Sequence, residues 1–186
     1  MRLFVAIPLS PDLAARAAEI LPTSLPALRR VRAENLHVTL AFLGQTPDDR
    51  LGDVTEAARE AARPVSRFRL AFGHPGRFPE RGRPRVVWLG IADGAQSVLE
   101  LGESVYSGLR SRGLRFDDRR LAPHLTLARV AEDATAAEAK TVGAALEDLP
   151  SSNLAFEVSD ITVVQSVLSP KGPRYTALAT VPLAHN

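Results

Sequence analysis

The sequence predicts an α+β protein of two similar lobes, each a mostly antiparallel sheet with helices on its outside. Three observations carry this expectation. Strand-length apolar runs alternate with amphipathic helical stretches in the order strand, helix, strand, helix, strand, and the order then repeats with one added hairpin strand. The pattern H-x-T-L-A occurs twice, at 37–41 and at 124–128, 87 residues apart. With 186 residues, 45% hydrophobic and 24% charged, the chain is long enough for one shared core, and 1–186 is read as a single bilobal domain.

Residues 2–7 (RLFVAI) form the first strand, apolar on both faces and closed by Pro8. Ser10, Pro11 and Asp12 supply an N-cap, a proline in the first turn and an early acid. They open a helix with Leu13, Ala17, Ile20 and Leu21 on one side. A strand over 36–43 stops at Gly44, and a helix runs from Pro47 to about Arg63. Residues 65–72 alternate as a strand. Residues 73–85, rich in Gly, Pro and Arg without apolar period, read as a loop. A strand over 86–91, a helix over 94–112, a strand over 121–130 and an Ala-rich helix over 135–149 follow. The β-branched run 156–168 is one strand, 169–173 a turn, and 175–181 the last strand of a hairpin.

The absence of cysteine excludes disulfides, Cys-ligated zinc and thiol nucleophiles together. No apolar stretch approaches the roughly 20 residues of a membrane span, and no secretory leader pattern follows Met1, so a cytosolic protein is expected. Net charge is only +2, yet 21 of 23 basic residues are Arg. Arg has the planar fork that matches phosphate, although an Ala-, Gly- and Pro-rich chain also acquires Arg through coding bias.

Side chains two apart on a strand share a face, so His37 lies with Thr39 and His124 with Thr126. Leu36, Val38, Leu40 and Phe42 make the opposite face of one strand apolar, as Leu125 and Leu127 do for the other. A single His-x-Thr on a half-exposed strand needs no function. Its recurrence at matched points of two half-chains does. Two imidazoles facing each other across a cleft supply a general acid and a general base near neutral pH. Two threonine hydroxyls donating from opposite sides suit a phosphoryl group better than a planar acyl carbon. Only His74 and His185 remain as further imidazoles, and no carboxylate stands at a useful strand spacing, so neither a metal nor another cofactor is expected. The chain lacks a Gly-rich nucleotide loop, a G-x-S-x-G elbow and an H-E-x-x-H motif.

These motifs, with RLFVAI at the start, NLHVTLAFLG at 35–44, RVVWLG at 85–90, PHLTLARV at 123–130 and GPRYTAL at 172–178, resemble the two-histidine phosphoesterases. Within that superfamily the chain is similar to the RNA 2',3'-cyclic phosphodiesterases, historically called 2'-5' RNA ligases. The resemblance implies that both H-x-T strands line a central cleft acting without metal on a terminal 2',3'-cyclic phosphate of RNA or of a small nucleotide. It implies that His37 is the proton donor to the departing 3' oxygen, that His124 is the proton acceptor activating water, and that Thr39 and Thr126 hold the phosphate. Relatives often carry Lys two residues after the first Thr, where this chain has Ala41, so a phosphate contact from there is absent or supplied elsewhere.

Arg129 matches a family arginine, but strict alternation puts it opposite His124, and only a twist or bulge would bring it to the phosphate. Phe4 and Tyr175 match family aromatics that could stack on the terminal base, although Phe4 reads first as a core residue. Arg77, Arg81, Arg83 and Arg85 either track an RNA backbone or are solvated loop residues. His74 and His185 are read as bystanders. The expected protein is a monomer that hydrolyses RNA ends. The alternatives are the reverse 2'-5' joining reaction and an RNA-end-binding module without turnover.

Overall fold

Each lobe of the protein proves to be one half of a continuous curled sheet. The computed structural model describes residues 1–170 and 172–185, and Lys171 of the expected 169–173 turn lies outside the described residues. In chain order the elements are β1 (Arg2–Pro8), α1 (Pro11–Ala18), β2 (Leu28–Arg30), β3 (His37–Gln45), α2 (Leu51–Ala62), β4 (Phe68–Phe78) and β5 (Val86–Asp93). They continue with α3 (Ala95–Ser111), β6 (His124–Val130), α4 (Ala136–Glu147), β7 (Ala155–Val158), β8 (Asp160–Val167) and β9 (Arg174–Pro182). The sheet order is β7-β4-β5-β6-β3-β1-β8-β9, with antiparallel neighbours throughout, and β2 pairs with β6.

The motif strands β3 and β6 are the innermost strands of the two halves. They share a single register pair, Val38 with Leu125. Beyond it the strands part, and β2 takes over the free edge of β6, pairing Leu28 with Val130 and Arg30 with Ala128. The opening between the halves therefore lies beside the two histidines.

Local chemistry sets the helix starts. The Ser10 hydroxyl accepts from the Leu13 amide at 3.4 Å, and Thr135 with Glu138 forms a reciprocal capping box. The inward faces of the motif strands, Val38, Leu40 and Leu125, are fully buried in one core with Val54 of α2 and Val98, Leu101, Val105 and Leu109 of α3. Each such aliphatic side chain contributes about 1.5–3 kcal/mol on burial. Helix α3 packs on β3 and α2, while α2 reaches β8 and β9. Among the described residues no helix is long and apolar enough to cross a membrane.

Three elements differ from the sequence reading. Strand β4 continues through Phe78, so half of the expected 73–85 loop is sheet. Pro75 sits at a register shift, and Gly76 lies opposite Trp88, whose indole occupies the space a Cβ would need: one built there would come within 2.2 Å of the ring. The run 156–168 is two strands, because the chain leaves the edge of one half (β7 on β4) and enters the other half (β8 on β1) at Ser159. The three-residue β2 gave no periodic signal.

Candidate active site

Both motif strands carry a bulge at the same place. Along β3, Ala6 pairs with Thr39 and Val5 with Ala41, which leaves Leu40 as the extra residue. Along β6, Trp88 pairs with Thr126 and Val87 with Ala128, which leaves Leu127 as the extra residue. A bulge turns the residues after it to the other face. Arg129 therefore points to the histidine side of the sheet. Phe42, expected on the buried face, turns out as well and is 37% exposed.

Each imidazole is anchored by the carbonyl two residues before it. The His37 Nδ1 lies 2.7 Å from the Asn35 oxygen, and the His124 Nδ1 lies 2.6 Å from the Ala122 oxygen. A carbonyl only accepts, so Nδ1 carries the hydrogen in both rings and Nε2 is left for proton transfer. Aromatic rings wall each imidazole. Phe4 and Tyr175 stand 4.7 and 5.5 Å from the His37 ring, and Phe78 and Trp88 stand 5.1 and 6.2 Å from His124. Burial lowers the pKa of His37 below the ordinary imidazole value; the Asn35 carbonyl opposes this and the charge of His124 adds to it. Burial also lowers His124, against the Ala122 carbonyl and with help from the Arg129 charge. Burial raises the Tyr175 phenol, with Arg129 and Arg2 pulling the other way.

A cavity of about 680 Å³ opens over these groups, and His37, Thr39, His124, Thr126, Arg129, Phe4 and Tyr175 all line it. The register of the Val38–Leu125 pair sets His37 opposite Thr126 and His124 opposite Thr39. Phe4 is 3% exposed, its ring packed on His37 and Tyr175. Arg29, Arg30 and Arg32 from β2 and the segment after it form a wall that sequence reasoning did not reach. Phe78 and Trp88 were also missed, Phe78 because its segment read as loop. Arg77, Arg81, Arg83 and Arg85 line neither this cavity nor the wider cleft mouth that Arg2, Arg119 and Arg120 border. His74 is exposed, and His185 contacts Arg67 at 3.0 Å, both away from the cleft. Among the described residues no group of three or more His, Asp or Glu gathers as a metal site.

A curled antiparallel sheet with an H-x-T strand from each half at its seam defines a two-histidine phosphoesterase. A profile of the 2'-5' RNA ligase superfamily matches residues 9–168, and the chain belongs to that family. It is 33% identical over 181 residues to an RNA 2',3'-cyclic phosphodiesterase of Archaeoglobus fulgidus, covering 96% of this chain and 98% of that one. A protein of the same description from Geobacillus stearothermophilus is 34% identical over 183 residues, 97% of this chain, which spans 56% of that relative's length. Among solved structures, TT0787 of Thermus thermophilus superposes with a TM-score of 0.80 at 29% identity, covering 98% of both chains. LigT of E. coli complexed with 3'-AMP gives 0.75 at 28% identity, covering 98% of this chain and 97% of that one.

Proposed function

We propose that the protein hydrolyses RNA 2',3'-cyclic phosphate ends to 2'-phosphomonoester ends without a metal ion, with His37 and His124 as acid and base. The observation that carries this reading is the pair of anchored imidazoles, each with Nε2 free, over one cavity that also holds Thr39, Thr126 and Arg129. Relatives named RNA 2',3'-cyclic phosphodiesterase, similar over nearly the whole chain, support it.

In the reaction, neutral His124 takes a proton from water at Nε2 as the water oxygen bonds to phosphorus. The bond from phosphorus to the 3' oxygen breaks, and protonated His37 delivers a proton to that oxygen. Thr39, Thr126 and the Arg129 guanidinium donate to the non-bridging oxygens, whose charge grows in the transition state. Assigning His37 as the acid follows the family resemblance. The substrate's negative charge favours imidazolium and so offsets the burial that holds His37 neutral.

An oligonucleotide ending in a 2',3'-cyclic phosphate, incubated with the protein in EDTA, tests the reading. The expected product is a 2'-phosphate end. Loss of activity in EDTA would overturn the metal-free mechanism, and joining to an added 5'-hydroxyl strand in place of hydrolysis would make the reverse reaction the principal one. The protein is taken to act as a cytosolic monomer, which size-exclusion chromatography checks for the monomer.

A further inference from the structure

The cavity over the histidines continues into a second hollow of about 520 Å³, and the two share Arg32, Asn35, Pro173 and Tyr175. Past these shared walls the second hollow is lined by Glu34, Ser169, Pro170 and Arg174. The first cavity alone has the volume of a complete small-ligand site, about 300–1,000 Å³, so a terminal nucleotide does not require the second.

The lining of the second hollow combines what single-stranded RNA needs: cationic groups for the backbone and flat apolar surface for a base. Arg32 and Arg174 are exposed guanidiniums, and Pro170, Pro173 and Tyr175 supply the surface. Arg32 is held to Glu34 at 2.9 Å, a solvent-exposed pair that water screens and a phosphodiester can displace. The floor is preset. Asn35, only 6% exposed, donates from Nδ2 to the Pro173 carbonyl at 2.9 Å, joining segments 138 residues apart.

We infer that this second hollow is a subsite for the nucleotide immediately 5' of the cyclic phosphate, with Arg32 and Arg174 on its phosphodiester and Pro170 and Pro173 against its base. The inference rests on the proposed reaction and names which part of an RNA the protein holds beyond the reacting end. It also fixes two opposite signs. Arg174 attracts the phosphodiester, whereas Glu34 repels it and competes for Arg32.

The test compares adenosine 2',3'-cyclic phosphate with the dinucleotide ApA carrying a 2',3'-cyclic phosphate. The wild type is expected to show a higher kcat/KM on the dinucleotide. Arg174→Ala should lower that value about fivefold and flatten its salt dependence by roughly 0.7 in log–log slope, while Glu34→Gln raises it, and both leave the mononucleotide unchanged. Equal wild-type kcat/KM on the two substrates, or an equal loss on both in Arg174→Ala, would overturn the subsite. Turnover of neither substrate would instead overturn the proposed reaction. The subsite would then be read from affinities for adenosine 2'-phosphate and for ApA ending in a 2'-phosphate: an advantage for the latter that Arg174→Ala removes upholds it, and equal affinities overturn it.

Discussion

Phe42 and Arg129 occupy the same position in the two halves of the sheet, five residues past the motif histidine and one bulge beyond the motif threonine. The bulges at Leu40 and Leu127 turn both side chains into the cleft, where one half presents an aromatic ring and the other a guanidinium. Arg2 lies over the Phe42 ring at 5.1 Å, so the two sides of the cleft carry different cationic arrangements.

Arg129 acts on His124 through charge, which gives a sign. Removing the cation in Arg129→Met should raise the His124 pKa, since the guanidinium helps to lower it. The acidic limb of kcat/KM then moves to higher pH, and KM for the anionic substrate rises roughly tenfold or more. An unchanged limb with unchanged KM would mean that Arg129 is a surface residue of the cleft mouth.

Alanine at His37 or His124 should reduce turnover by about 10² to 10⁴ with the fold intact, the usual contribution of a positioned acid or base. Valine at Thr39 or Thr126 keeps the strand shape and removes one donor, for a loss on the order of 10². Thermal melts run beside the kinetics separate these effects from unfolding. Near wild-type rates in either histidine variant would end the acid–base assignment.

What the sequence made legible was whatever repeats at period two. His37, Thr39, His124 and Thr126 stand on strands whose opposite faces, Val38 and Leu125, are fully buried, so alternation alone aimed them at the cleft. The bulges were not legible, because a bulged leucine reads like any strand leucine, and Phe42 was therefore placed on the buried face. The end of β4 was hidden for a different reason: Gly76 looks like a strand breaker but is the residue that admits the Trp88 indole from the next strand. That requirement comes from a residue 12 positions away and leaves no local signature. Strand β2 was likewise invisible, since its pairing with β6 is dictated by the edge that β3 vacates.

The pH dependence follows from the direction of both histidine shifts. His37 and His124 are each pushed below the ordinary imidazole value in the free protein, chiefly by burial. The bell in kcat/KM, which reports the free protein, should therefore lie to the acid side of one drawn for unperturbed imidazoles near 6.5. Bound phosphate favours imidazolium, so the bell in kcat should lie at higher pH than the bell in kcat/KM, and both limbs belong to the coupled pair. A rate climbing steadily into alkaline pH would point to hydroxide attack without an imidazole acid.

Gly76→Ala should be costly although it adds one methyl group. The new Cβ would fall 2.2 Å from the Trp88 ring, and the indole cannot yield without disturbing the wall of His124. A loss of about 1–3 kcal/mol is expected, seen as a Tm lowered by several degrees, together with reduced turnover. Gly52→Ala is the control. It lies in α2 with nothing within 4 Å of the added carbon, so a gain of about 0.5–1 kcal/mol is expected. Equal Tm values for the two variants would remove the argument for the Gly76–Trp88 fit.

The arginines between residues 77 and 85 should matter for stability and not for RNA. Arg77 donates from Nη1 to the Gly82 carbonyl at 2.8 Å, and Arg83 donates from Nη2 to the Ala134 and Glu132 carbonyls at 2.5 and 3.1 Å. These bonds hold the loop to itself and to the segment that precedes α4. Replacing Arg77, Arg81, Arg83 and Arg85 with Ser should therefore lower Tm, each lost charged hydrogen bond being worth about 1.5–3 kcal/mol where it is shielded and less where it is exposed. Turnover of a mononucleotide and of a long RNA, both ending in a 2',3'-cyclic phosphate, should stay in the wild-type ratio across a salt series. Each backbone phosphate released from a protein cation reduces the log–log salt slope by roughly 0.7 on a single strand, so an unchanged slope on the long RNA is a sensitive readout. A flattened slope confined to the long RNA would instead place the backbone on this loop, and it would have to reach there from the cleft through Phe78, the residue of β4 that borders both.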